Sequence, residues 1–224
     1  MGNSAAVRHL VDLLMTVVLL LLMAYFLTDQ EIHEWLGAGM LVLFIAHHIL
    51  NRKWLKALNR GKYTPFRVLQ TALVLLVLLC MLGSMLSGIW MSRYVFDFLP
   101  TQGHMGLPRT AQRLCAYWGF LLRSAHLGLH WGILLGAVRK AAGNRKPSAP
   151  RAAVLRVLAC GISAHGVFAF IKHQIADYLF LQSHFVFFDY EQPPVLYFLD
   201  LLAMMGLWMA LSYYLGRALQ RDTG

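Results

Sequence analysis

The side chains best suited to chemistry in this chain are histidines set at the ends and middle of two apolar stretches. The first reads His33-Glu-Trp-Leu-Gly-Ala-Gly-Met-Leu-Val-Leu-Phe-Ile-Ala-His47-His48-Ile-Leu-Asn51-Arg-Lys-Trp54. From His33 to His47 is 14 residues, which on an α-helix is about 21 Å of rise and about 40° short of four turns. Both imidazoles then lie on nearly one face, toward opposite sides of a hydrocarbon layer about 30 Å thick. Neutral imidazole is a common ligand to haem iron, and an unpartnered imidazole in lipid is costly. The second stretch is Tyr117-Trp118-Gly-Phe-Leu-Leu-Arg123-Ser-Ala-His126-Leu-Gly128-Leu-His130-Trp131, where His126 and His130 are four residues apart and share a helical face. Both segments run in the same direction, so His47 and His126 match in depth. The pattern predicts a haem b between them.

Other residues bear on that site. Gly128 removes a side chain where a flat macrocycle can approach, and Gly37 and Gly39 can do the same on the first stretch, although small residues also serve helix packing. His48 is the alternative to His47, about 100° further round the helix. Arg123 lies mid-segment, where a charge is expensive; a haem propionate, a quinone head group or Asp200 can each pair with it. His165, flanked by Gly161 and Gly166, is a core histidine or an extension of a haem or quinone pocket. The outer position is less complete. A repeat of the 14-residue spacing before His126 falls on Gln112, not histidine. Either the outer haem is missing, with His33 structural or titrating at the surface, or His104, Met105 or His173 replaces the ligand.

These positions require long membrane helices. The chain has 224 residues, 58 % hydrophobic and 13 % charged, with a mean hydropathy of +0.56; a soluble domain carries about twice that charge. The expected class is an all-α integral membrane bundle of about six spans, near 7–27, 33–50, 66–90, 111–137, 152–174 and 194–216, with a four-helix haem-binding core. Residues 1–142 form that core, 143–151 a cytoplasmic linker, and 152–224 two further helices of the same membrane domain. Of the 20 basic residues, most fall at Arg8, in the loops 52–67 and 139–156, and at Arg217 and Arg221. The positive-inside rule makes that side cytoplasmic, which places the chain in a bacterial inner membrane with both termini on the cytoplasmic side. The same distribution turns a net charge of +10 away from nucleic acid. Three cysteines stand singly, with no c-type haem motif and no cysteine set for a cluster or zinc. No Gly-x-Gly-x-x-Gly follows a strand, so no dinucleotide domain is expected.

As a set, His-Glu-x-x-Gly, His-His-x-x-Asn-x-x-Trp, Tyr-Trp-Gly-Phe with His-Leu-Gly-Leu-His-Trp, and His-Phe-Val-Phe-Phe-Asp-Tyr-Glu-x-Pro resemble the DUF4405 family of flavinylation-associated cytochromes. That family is grouped with two-haem membrane cytochromes of the cytochrome b561 and formate-dehydrogenase-subunit type. The resemblance implies electron transfer between a quinol pool and outer, often flavin-carrying, partners, with His33, His47, His126 and His130 on matching positions. Gln112 departs from the histidine that relatives often carry. Two rivals differ in class: a cofactor-free membrane anchor or assembly subunit, and a small proton-coupled transporter. A metal-dependent membrane enzyme is disfavoured because carboxylates are scarce beside the histidines.

Overall fold

The computed structural model describes residues 2–58, 62–99, 105–132, 135–136, 143, 149–183 and 185–221. Eight α-helices are described: α1 (Gly2–Met23), α2 (Gln30–Leu50), α3 (Arg52–Ala57), α4 (Pro65–Met91), α5 (Gly106–Leu129), α6 (Ala149–Lys172), α7 (Ile175–Leu179) and α8 (Pro194–Arg221). The fold is all-α, with no strand among the described residues, and α1, α2, α4, α6 and α8 are each long and apolar enough to cross a membrane. In lipid the backbone must satisfy its own hydrogen bonds, which is why such stretches become helices.

The six long helices follow the expected spans, shifted at their ends, and the informative difference is at the fourth. Helix α5 is not among the five apolar enough to cross by composition; it carries Arg109, Arg113 and Arg123, and its α-helical part ends at Leu129. It is instead the amphipathic one, burying Tyr117, Gly119, Phe120, Leu121, Ser124 and Gly128. A helix that packs one face against protein does not need to be apolar all round. Of the segment expected to continue it to 137, residues 133, 134 and 137 lie outside the described residues, as do 144–148 of the expected linker.

Local chemistry explains the helix ends. Asp29 caps α2, its Oδ1 accepting from the Ile32 amide at 2.8 Å. Asn51 closes the same helix, its backbone amide and its Nδ2 both donating to the His47 carbonyl. Thr64 precedes α4, its Oγ1 accepting from the Arg67 amide at 3.3 Å, and Pro65 takes the first helical position, where a missing amide hydrogen costs nothing.

The chain forms two compact units. One comprises Met1–Lys62, Cys80–Ala116 and His184–Phe198. In it α1 and α2 form a hairpin through the 3₁₀ turn Tyr25–Leu27. Phe26 stacks on Phe188 and meets Tyr197 edge-on, while Tyr197 Oη donates to the Met23 carbonyl at 3.1 Å. The other unit comprises Tyr63–Leu79, Tyr117–Ser183 and Leu199–Gly224. Here glycines let helices approach α8: a Cβ on Gly128 would collide with Ser212 and the Met209 backbone, and one on Gly166 with the Ala203 backbone. Small residues at such crossings are how membrane helices gain van der Waals contact when hydrophobic burial does not distinguish protein from lipid. Tyr117 stacks on Tyr178 and Trp118 Nε1 donates to the Leu179 carbonyl at 3.0 Å, tying α7 to α5.

Candidate functional site

Within the first unit, His47 is the histidine with the most developed surroundings. Its Nδ1 lies 2.7 Å from Asp12 Oδ1 on α1. A carboxylate accepts only, so His47 Nδ1–H donates and the Nε2 lone pair is left for a ligand. A metal-binding imidazole is commonly fixed in this way, with a carboxylate on the far nitrogen setting tautomer and orientation. Both partners are partly open, at 31 % for His47 and 45 % for Asp12. His48 turns differently: its Nδ1–H donates to the Phe44 carbonyl at 2.9 Å, one turn back on α2, and its ring packs on Phe44. Asp12 is a residue that the histidine spacing does not point to, although a lone acid inside an apolar run is the available signal.

His33, near the start of α2, meets the Tyr25 ring edge-on at 4.9 Å. Its Nδ1 is buried without a hydrogen-bond partner among the described residues. The neighbouring Glu34 is a latch: its carboxylate accepts from Ser92 Oγ at 2.7 Å and from the amides of Arg93, Tyr94 and Val95. Gln112 is engaged with α4, where Ser87 Oγ donates to its Oε1 at 2.5 Å. Met105 stands immediately before α5, its carbonyl accepting from the Arg109 amide at 3.2 Å. Space around Gly37 and Gly39 is open, with nothing within 4 Å of where a Cβ would stand.

Within the second unit, the rings of His126 and His130 stand 4.9 Å apart at 68°, the contact expected of residues four apart. His130 lies just beyond α5, its amide donating to the Leu127 carbonyl at 3.2 Å, and Gln70 Nε2 stands 3.5 Å from its Nε2. Arg123 is half-buried on α5. Gly128 is the correction here: the face expected to admit a flat macrocycle is filled by α8.

A dense polar cluster among the described residues of this unit centres on Asp200 of α8, whose side chain is 5 % exposed. Its Oδ1 accepts from His165 Nε2 at 2.9 Å, and its Oδ2 from Lys172 Nζ at 2.9 Å and His173 Nε2 at 2.8 Å. His173 therefore has its Nε2 committed to a carboxylate, which removes that nitrogen from the set of replacement haem ligands. Lys172 is the member that sequence reasoning missed; its position two residues inside the expected end of the fifth span is the signal that could have found it. His104, another proposed replacement, lies outside the described residues.

The donor sets can be tested against two kinds of metal. Among the described residues, no group of three or more His, Cys, Asp or Glu side chains is arranged to hold a metal ion. A haem asks for less, because the macrocycle supplies four nitrogens and the protein one or two axial imidazoles. His47, with Nδ1 on Asp12 and Nε2 available, fits that requirement. No protein family matches this chain, and no curated protein or solved structure matches it either.

Proposed function

We propose that this is a membrane cytochrome that holds haem b and carries single electrons. The observation that supports it most directly is the His47–Asp12 pair, an imidazole whose far nitrogen is already occupied by a carboxylate at 2.7 Å. The motif set resembling the flavinylation-associated cytochromes adds to it. On this reading His47 is one axial ligand, His126 is the sequence's candidate for the other, and the haem supplies one-electron redox chemistry when bound. His47 offers Nε2; Asp12 holds its tautomer and raises its basicity through Nδ1; Asn51 fixes the backbone carrying it. The donor is a quinol in the bilayer and the acceptor a periplasmic, flavin-carrying partner, with both termini in the cytoplasm of a bacterial cell.

One haem per chain is the expected number. The position that would complete an outer pair is Gln112, and its oxygen already accepts from Ser87 at 2.5 Å. A reduced-minus-oxidised spectrum, with pyridine haemochrome quantification on protein made with ample haem, decides the matter. The expected outcome is a b-type α band and one haem per chain, abolished in His47→Ala. Absence of haem overturns the reading in favour of a cofactor-free anchoring subunit. Two haems per chain overturn the single-site version of it.

A further inference from the structure

The Asp200 cluster has a feature its structural role leaves unexplained. An ionised carboxylate only accepts hydrogen bonds, so His165 and His173 both donate to it through Nε2–H. In neutral His165 that leaves Nδ1 as a lone-pair acceptor, and no hydrogen bond to it forms among the described residues. The side chain is not turned inward: it is 49 % exposed, against 5 % for the carboxylate that anchors it. It also sits on α6, a helix long and apolar enough to cross a membrane, where the neighbouring large side chains Ile162, Phe168 and Ile171 are exposed at 48 %, 58 % and 70 %. In a hydrocarbon layer no water is present to satisfy that nitrogen. A purely structural histidine at this position gains nothing by presenting an acceptor to lipid.

We infer that His165, oriented by Asp200 and flanked by Phe168, is a binding site for a lipid-dissolved aromatic hydroxyl of the phenol or hydroquinone class. A hydroxyl donor satisfies Nδ1, and the Phe168 ring offers a face to an aromatic ligand, its centroid 5.8 Å from the imidazole and tilted 35° to it. Asp200 makes the acceptor better, because a carboxylate on the far nitrogen increases the basicity of the near one. Lys172, 2.9 Å from Oδ2, sets a counter-charge beside the buried carboxylate, so an uncharged ligand at Nδ1 is compatible with the site. The inference touches the electron-transfer reading at one point, since a membrane hydroquinone belongs to this class, but it does not need the haem.

The test uses full-length protein in lipid nanodiscs, labelled with ¹⁵N at histidine and titrated with 4-decylphenol. One Nδ1 resonance should shift saturably, toward a hydrogen-bonded value, and be missing from the His165→Phe spectrum. 4-Decylanisole, which lacks the donor, and 1-dodecanol, which lacks the ring, should shift it at least tenfold less effectively, about the loss of one hydrogen bond or one ring contact. His165→Asn, which keeps an acceptor at a position facing lipid, should recover part of the binding in an equilibrium partition assay against empty nanodiscs. The inference is overturned if no histidine resonance moves, if His165→Phe binds like the parent, or if the anisole shifts the same resonance equally. His47→Ala keeps the two readings apart: it removes haem while leaving phenol binding in place. A haem-free protein that binds the phenol therefore defeats only the cytochrome.

Discussion

Two carboxylates inside apolar helices serve histidines in this protein, and they do so in opposite ways. Asp12 sits 45 % exposed against a single imidazole, His47. Asp200 is nearly sealed, and its donors include two imidazoles and an ammonium. The difference follows from the cost of moving a charge out of water. A half-solvated carboxylate tolerates one neutral partner, whereas a buried one requires a counter-charge and a full set of hydrogen bonds. The first arrangement leaves its histidine poised and adjustable. The second makes the carboxylate a structural fixture that holds one half-exposed imidazole in a set direction.

Substitutions at the two sites sharpen this contrast. Asp200→Ala should be the most damaging, leaving Lys172 and two imidazoles without their acceptor; removal of one member of a buried charged set costs about 3–5 kcal/mol. Thermal unfolding in detergent, followed by helical circular dichroism, measures it. Lys172→Met keeps both imidazoles on the carboxylate and removes the cation; because the ammonium end is itself partly solvated, at 36 % exposure, it should cost less, about 1.5–3 kcal/mol by the same measurement. Gly166→Ala asks whether close approach of α6 to α8 holds His165 against Asp200. Its added methyl meets the Ala203 backbone and should cost about 1–3 kcal/mol, with loss of the ¹⁵N signature of the His165–Asp200 bond. Asp12→Asn should change stability least, within about 1 kcal/mol, and on the proposed cytochrome reading it lowers haem affinity about 10–100-fold. If Asp12→Asn unfolds the protein as readily as Asp200→Ala, the distinction between a poised pair and a structural fixture is wrong.

Much of the architecture is legible from hydropathy alone. Five spans stand out because an 18-residue apolar window is a local property, and the amphipathic period of α5 is local too, although which neighbours cover its apolar face is not. Its burial of Phe120 and Ser124 depends on neighbours far away in sequence. Gly128 is misleading because a glycine beside histidines looks alike whether a cofactor or a helix backbone fills the space; Met209 and Ser212 fill it. Gln112 has the look of a missing ligand, and Ser87, 25 residues earlier, gives it an alternative occupation.

By itself the sequence determined that the chain is a helical membrane protein, where its long helices lie, and which helices carry histidines. These follow from side-chain hydropathy and from a backbone that must satisfy its hydrogen bonds within each segment. Only the tertiary structure decided which carboxylate each histidine meets. Asp12 is 35 residues from His47, and Asp200 is 35 from His165. No local pattern encodes those pairings. They exist because particular helix faces come together, and the tautomer and free nitrogen of each imidazole follow from that meeting.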